Sequence, residues 1–167
     1  ALDMRMDKTS SLTAQQVVND YEEEELARII FEYSEERFSK RIAKNICEYR
    51  KNKKIETTKE LTQIIESAIP GFAKKEGHPA KRTFQAIRIE VNNEIKPLYN
   101  TIRDCIDVLN KSGRLCVITF HSLEDRAVKE AFLELNIFLK NSYATFGSHF
   151  VPHVNKSTAA YPNSGHV

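Results

Sequence analysis

The sequence predicts a mainly α-helical protein in which a set of amphipathic helices is followed by a partial α/β unit of order helix–strand–helix. Three observations support this fold class. Apolar residues recur every three or four positions over most of residues 12–110, the period of a half-buried helix. Capping-box patterns, which start helices, recur along the chain. One continuous β-branched apolar run, LCVITF at residues 115–120, interrupts the helical period and indicates a strand buried on both faces.

The first three helices follow an initial loop of about a dozen residues. Thr13 and Gln16 form a capping-box pattern that starts a short helix ending near Asn19. A second helix is predicted over residues 22–33, and Ser34 is a natural N-cap for a third. The positions expected to be buried in the second and third helices are Leu26, Ile29, Ile30, Tyr33, Phe38, Ile42, Ile46 and Tyr49.

Thr57 and Glu60 form another capping box, which opens a helix that Pro70 and Gly71 end. Residues 72–78 are predicted to be a basic loop, and Pro79 suits the first turn of the following helix. Pro97 either kinks that helix or starts a new one. The inner positions expected from residue 57 onward are Leu61, Ile64, Ile65, Ala68, Phe84, Ile87, Val91, Ile95, Leu98, Ile102, Cys105 and Leu109.

The predicted strand at 115–120 follows a turn at 111–113 and precedes a third capping-box pattern, Ser122 and Asp125, of a helix reaching about residue 135. Because a single strand cannot form a sheet, its neighbours must come from elsewhere in the chain or from a missing part of the protein. Residues 137–167 contain two charged residues against 46 in the preceding 136. This composition predicts a loosely structured tail.

The composition excludes several classes of protein. Apolar residues make up 41% and charged residues 29% of the 167, as in ordinary globular proteins. No apolar run approaches the roughly 20 residues of a membrane span, and no signal-peptide pattern is present. Three scattered cysteines without a CxxC pair argue against zinc and for a reduced, cytoplasmic setting. His149 and His153 have a metal-ligand spacing, but Pro152 lies between them, so no metal is predicted.

Basic residues are unevenly distributed, although the net charge is only +2. Residues 35–54 hold eight Lys or Arg against three Glu, and residues 72–88 hold five against one. Such a stripe can neutralise the phosphates of a nucleic acid. It can equally be a solvated helix face, and the charge pattern alone leaves both interpretations open.

Three short segments carry residue types that a functional site would use. In the first, His121 stands at the carboxyl end of the predicted strand, where α/β sheets bind ligands, with Ser122, Asp125 and Arg126 in the following helix. The alternative is that Ser122 and Asp125 only cap this helix and that His121 forms a local hydrogen bond.

The second segment, HPAKRTFQAIR at 78–88, includes Arg82 and leads to a polar helix face on which four residues are spaced by four, three and four: Lys81, Gln85, Arg88 and Asn92. Arg and Gln can bind phosphates and base edges, and the alternative is a surface helix held by salt bridges. The third segment is LDMRMD at 2–7, where Asp3 and Asp7 flank Arg5. It is either part of a site or a self-neutralised loop.

Taken together, five collinear segments resemble the RsmH (MraW) family of SAM-dependent methyltransferases, which act on small-subunit ribosomal RNA. They are LDMRMD from residue 2, EEELARIIFEYSEERFSKRIAKNI from residue 23, IETTKEL from residue 55, HPAKRTFQAIRIEVNNE from residue 78 and GRLCVITFHSLEDRAVK from residue 113. The segments occur in the family's order and cover most of residues 1–135.

The resemblance implies a doubly wound α/β methyltransferase core with an inserted helical domain. Residues 1–11 would be a loop of that core, 12–97 the insert that helps to engage RNA, 98–136 a further part of the core, and 137–167 an atypical tail. The implied reaction transfers a methyl group from S-adenosylmethionine (SAM) to the exocyclic amine of a cytidine. The implied proton acceptors are His121, Asp125 or Asp7, and the implied substrate contacts are Arg5, Arg82, Gln85, Arg88, Asn92, Ser122 and Arg126.

The family's glycine-containing cofactor motif does not occur in this chain, whose five glycines are isolated. The SAM-binding residues are therefore expected upstream of residue 1. The expected partner is ribosomal RNA or the small ribosomal subunit in the cytoplasm, without membrane contact, and a homodimer is left open. The alternative is a non-catalytic helical module that binds RNA or protein.

Overall fold

The computed structural model describes residues 1–75, 78–110 and 113–142. Two compact units divide the chain, Ala1–Pro97 and Leu98–Val167. Both are helical where they are described, so the prediction of a mainly α-helical protein is confirmed. In this described part of the chain, no helix has the length and apolar character required to cross a membrane.

In its described residues, the first unit consists of five α-helices and one short 3-10 helix. They are α1 (Ala14–Asp20), α2 (Glu23–Ser34), α3 (Ser39–Arg50), α4 (Thr58–Ala68), the 3-10 helix Gly71–Lys75 and α5 (Lys81–Asn92). Helix α2 packs against α3 and α5, α3 also contacts α4, and α1 touches α3 and α5. Each α-helix buries one apolar stripe, and the stripes meet in a common core that includes Leu26, Ile30, Ile46, Leu61 and Ile87.

Two predicted capping boxes are present and define the starts of α1 and α4. The Thr13 hydroxyl accepts a hydrogen bond from the Gln16 N–H, and the Gln16 side chain accepts one from the Thr13 N–H. Thr57 and Glu60 form the same reciprocal pair. Both boxes satisfy backbone donors that the first helical turn leaves without an intrahelical partner.

The prediction that Ser34 caps the third helix is wrong. Ser34 is the last residue of α2, and its hydroxyl donates to the Ile30 carbonyl at 2.6 Å. Glu35 then adopts a left-handed conformation (φ 52°) that ends α2, and α3 begins four residues later at Ser39. A serine whose hydroxyl is bonded back to the preceding turn cannot cap the next helix, so the Ser34 hydroxyl serves the end of α2 rather than the start of α3.

Helix α5 is shorter than its apolar pattern predicted. Ile87 and Val91 are buried and Phe84 packs at the edge of the core, as expected. Asn93 takes the left-handed conformation (φ 49°), and its N–H bonds to the Glu90 and Ile89 carbonyls. Ile95 therefore lies beyond the helix, because a left-handed residue terminates the helical path and Asn tolerates that conformation.

The second unit contains α6 (Leu98–Asp107) and α7 (Ser122–Ser142), which pack against each other. Pro97 thus precedes a new helix rather than kinking α5. Among the residues of this unit whose burial is described, the core consists of Ile102, Val128, Ala131 and Leu135. Ile106 packs against it, whereas Leu109, expected on the inner face, lies beyond the end of α6 and is 36% exposed.

The predicted strand at 115–120 is not formed. Residues 113–119 have no regular secondary structure, and Ile118 and Phe120 are 78% and 90% exposed. A strand exists only through hydrogen bonds to a neighbouring strand, and the described residues supply none. Where the sequence predicts a partial α/β core, the described residues therefore form a helix–loop–helix unit.

The helix predicted to end near residue 135 continues as α7 to Ser142. The remaining predictions for the tail, including the spacing of His149 and His153, lie outside the described residues. So do residues 76–77 of the basic loop and residues 111–112 of the predicted turn.

Candidate functional site

Asn92 connects the N-terminal segment, residues 2–7, to α5. Its Oδ1 accepts a hydrogen bond from the Met6 N–H at 2.7 Å, and its Nδ2 donates to the Met4 carbonyl at 2.9 Å. The same Nδ2 also lies 2.8 Å from the Arg88 carbonyl oxygen, one turn earlier on α5. Leu2 anchors the segment in the core of the unit with 1% of its surface exposed. The structure thus brings together two of the three predicted site segments, 2–7 and 78–92.

Arg5 is bound within its own loop. Its Nε lies 2.6 Å from Asp3 Oδ1, and its Nη1 donates to the Ser10 carbonyl at 2.7 Å. These hydrogen bonds from Arg5 hold the pKa of the Asp3 carboxyl well below its usual range. In this geometry the guanidinium neutralises Asp3 and holds the loop closed, as the self-neutralised alternative describes.

Asp7 accepts two hydrogen bonds from Thr9, one from its hydroxyl at 2.7 Å and one from its N–H at 2.8 Å. These bonds lower the pKa of the Asp7 carboxyl. A carboxylate stabilised in this way stays ionised at neutral pH, but it is a weaker base than an ordinary aspartate.

The polar face of α5 borders a shallow groove that we call the α5 groove. It encloses about 470 Å³ and is lined by Met4, His78, Lys81, Phe84, Gln85 and Arg88. Arg88 is oriented by a bidentate ion pair with Glu94, with N–O distances of 2.8 and 2.9 Å. Gln85 donates to the Tyr33 carbonyl at 3.4 Å. The predicted spacing therefore places three polar side chains beside one concave surface.

A second groove adjoins the first and shares His78, Lys81 and Gln85 with it. We call it the Glu36 groove; it encloses about 660 Å³, and its further lining includes Glu36, Arg37, Phe72 and Arg82. The sequence interpretation included Arg82 but missed the other three. The excess of basic residues over 35–54 was the available sequence signal for Arg37. No sequence signal pointed to Glu36 or Phe72, which line the groove because of the way the chain folds.

His121 and Glu124 together cap α7, and this corrects the capping box predicted for Ser122 and Asp125. His121 Nδ1 accepts a hydrogen bond from the Glu124 N–H at 3.3 Å. The Glu124 carboxylate accepts one from the Phe120 N–H at 2.7 Å and lies 3.3 Å from His121 Nε2. The cap is shifted by one residue, because the imidazole nitrogen reaches the same backbone donor position that a serine oxygen would.

The other predicted residues of this segment lie on the first turns of α7. Asp125 forms an ion pair with Lys129 one turn later, with 2.5 Å between Oδ2 and Nζ. Ser122 and Arg126 are exposed. This segment belongs to the second unit, whereas the α5 groove and the Glu36 groove belong to the first.

Comparison with known proteins gives a consistent result. The model of the MraW methylase family matches residues 1–143. The chain is 59% identical over 134 residues to the "Ribosomal RNA small subunit methyltransferase H" of Clostridium botulinum (strain Kyoto / Type A2), which covers 80% of this chain and 43% of that protein. Proteins of the same name from Clostridioides difficile (strain 630) and Symbiobacterium thermophilum are each 57% identical, over 135 and 132 residues. These matches cover 80% and 78% of the chain, and 43% and 42% of the relatives.

The chain thus spans less than half the length of the curated relatives that it matches. The family match, however, extends across both described units, from the N-terminal segment through α7. This chain belongs to the MraW methylase family.

Proposed function

We propose that this chain is part of a SAM-dependent methyltransferase that modifies the exocyclic amine of a cytidine in small-subunit ribosomal RNA. The observation that carries the proposal is the 59% identity over 134 residues to a protein named as a small-subunit ribosomal RNA methyltransferase. The two adjoining grooves support it, because their lining includes four basic side chains that could contact RNA phosphates: Arg37, Lys81, Arg82 and Arg88. Ribosomal RNA would be the partner and the cytoplasm the location.

In this proposal the helical unit is the RNA-engaging insert, over residues 12–97, and residues 1–11 and 98–136 belong to the methyltransferase core. The five helices of the first unit share one core, which gives the grooves a firm support. The apolar run at 115–120, which is exposed at Val117, Ile118 and Phe120, would become a strand on pairing with the rest of the core sheet. Its exposure is what such a strand without its neighbours would show.

The described residues contain two glycines, Gly71 and Gly113. Gly71 lies in the 3-10 helix, and a side chain at Gly113 would meet the Asn110 carbonyl oxygen at 2.9 Å. Neither glycine lies between a strand and a helix, where a nucleotide-type cofactor would be held. The proposal therefore assigns SAM binding to protein outside this chain, and no step through the cofactor is derived from it.

The residues of this chain would orient the substrate and accept its proton. A cytidine amine is a poor nucleophile because its lone pair is delocalised into the ring, so its positioning matters most. The Asp7 carboxyl is kept ionised by its hydrogen bonds from Thr9, whereas the Asp125 carboxyl forms an ion pair with Lys129. His121 uses Nδ1 as the acceptor of its cap, so it could take a proton there only by releasing the Glu124 N–H.

The proposal is tested in a chimera. Residues 1–135 of this chain replace the aligned segment of the Clostridium botulinum relative, and transfer of labelled methyl groups from SAM to small ribosomal subunits is measured. We expect activity within about tenfold of the parent protein, and an abrupt loss when Asp125→Ala is added. Lys129→Ala serves as the control that removes the ion pair but keeps the carboxylate. A well-folded chimera without methyl transfer would overturn the proposal.

A second candidate function is a non-catalytic helical module that binds RNA or protein. The observation that favours it is that both grooves lie within the first unit, which has a complete core of its own. The chimera separates the two functions. Methyl transfer by the chimera would exclude the module, whereas RNA binding by the 167-residue chain together with a folded but inactive chimera would favour it.

A further inference from the structure

The Glu36 groove combines an exposed aromatic ring with exposed cations. Phe72 has 73% of its surface exposed, which is unusual for a phenylalanine in a folded domain. Arg37 lies over the Phe38 ring with 5.8 Å to its centroid, and Lys81 and Arg82 are exposed on the first turn of α5. Proteins that bind single-stranded nucleic acids use this combination, in which bases stack on aromatic rings and cations contact the backbone.

The same groove is lined by a carboxylate on a largely buried side chain. Glu36 has 5% of its surface exposed, and its Oε1 accepts a hydrogen bond from the Phe38 N–H at 3.0 Å. Glu36 Oε2 is not one of the fully buried, unpartnered side-chain oxygens of the described residues. Because Glu36 lines the groove, this oxygen can receive an N–H from a ligand there.

We propose that the Glu36 groove binds an unpaired RNA nucleotide, with its base stacked on Phe72 and an amino N–H of that base donated to Glu36. Arg37, Lys81 and Arg82 then contact the adjacent phosphates. This inference rests on the proposed function and adds a subsite to it. The groove is lined by none of the predicted proton acceptors, so we assign to it a nucleotide other than the methylated one.

The Glu36 carboxylate should discriminate between the two pyrimidine bases of RNA. Cytosine carries a 4-amino group that donates to a carboxylate oxygen, whereas uracil places a carbonyl oxygen at the same position. Two oxygens without a proton between them repel each other. The groove should therefore prefer cytidine to uridine, two bases that stack with nearly the same ring.

Fluorescence anisotropy on the 167-residue chain tests the stacking first, with labelled oligocytidine and oligouridine of about eight nucleotides. Phe72→Ala should weaken binding of both by about 5- to 150-fold, the range that stacking on one aromatic side chain covers. Phe31→Ala, which removes another exposed ring away from the groove, should leave both affinities unchanged. Equal affinities for wild type and Phe72→Ala would overturn the proposal.

The second variant tests base selection. Glu36→Gln keeps the acceptor for the Phe38 N–H but offers an amide donor to the ligand, so the preference for oligocytidine over oligouridine should be lost or reversed. Circular dichroism verifies that the variant is folded. An unchanged preference in a folded Glu36→Gln chain would contradict the proposal, and if this variant fails to fold the Phe72→Ala result decides alone.

The two proposals can fail separately. If the chimera methylates small subunits while Phe72→Ala binds RNA like the wild type, only the subsite is wrong. If the chain binds oligocytidine through Phe72 and Glu36 while a folded chimera transfers no methyl group, the subsite stands and the methyltransferase proposal is wrong.

Discussion

At the scale of single residues, Asn92 combines a predicted contact with a structural role. It continues the polar face of α5, and the family resemblance predicts it as a substrate contact. In the structure both ends of its amide are occupied by backbone groups of Met4, Met6 and Arg88. Asn92 therefore positions the N-terminal segment beside the α5 groove, and its role as a substrate contact stays a prediction.

Asn92→Ala should detach the N-terminal segment from α5. The variant loses three hydrogen bonds, and we expect the free energy of unfolding to fall by about 1–3 kcal/mol. Hydrogen exchange of the Met6 amide should become faster, because its acceptor is removed. Gln63→Ala, at an exposed position of α4, is the control and should change the free energy by no more than about 0.5 kcal/mol. An unaltered exchange rate at Met6 would show that the contact does not hold the segment.

At the scale of elements, the start of α4 shows how one side chain organises a helix terminus. The Glu60 carboxylate accepts hydrogen bonds from the Thr57 and Glu56 N–H groups and forms an ion pair with Lys53. These contacts lower the pKa of Glu60 from 4.5 to about 2, and the hydrogen bond from Lys53 makes the largest contribution to this shift. The capping box predicted from the sequence is thus also a pH-dependent one.

The lowered pKa of Glu60 makes the stability of the helical unit depend on acidity. A carboxyl group with a depressed pKa in the folded state stabilises the protein above its unfolded pKa, and that contribution is lost as the pH falls from about 4.5 toward 2. In urea denaturation followed by circular dichroism, wild type should therefore lose more stability over this range than Glu60→Gln. Glu24→Gln, the same substitution on an exposed position of α2, should follow wild type. Parallel curves for wild type and Glu60→Gln would contradict the prediction.

At the scale of the whole molecule, the first unit has a core that several helices share, whereas the described part of the second unit has a core of four buried residues. The stability of the grooves therefore depends on the packing of α2 against α3 and α5. Ile30 lies in this core with no exposed surface, and its neighbour Phe31 is 57% exposed. The two residues give a matched pair on one helix.

Ile30→Ala should lower the free energy of unfolding of the first unit by about 2–5 kcal/mol, because it leaves a cavity between helices. Phe31→Ala should change it by no more than about 0.5 kcal/mol, although it removes a larger side chain. Urea denaturation monitored by circular dichroism measures both. Similar losses for the two variants would indicate that the burial pattern of α2 is wrong.

Local patterns in the sequence determined the helices, their buried stripes and the capping boxes at Thr13 and Thr57, because each depends on contacts within a few residues. The tertiary structure decided what depends on neighbours distant in sequence. Ser34 bonds back to α2, and residues 115–120 stay outside any sheet because the described chain offers no strand to pair with.

The family could also be inferred from the sequence, because five collinear segments resemble it. The family match confirms that inference. The Glu36 groove could not, because residues from three places in the chain meet there only after the helices pack. Periodicity reports which face of a helix is buried, but the meeting of Glu36, Phe72 and Arg82 is a property of the packed helices alone.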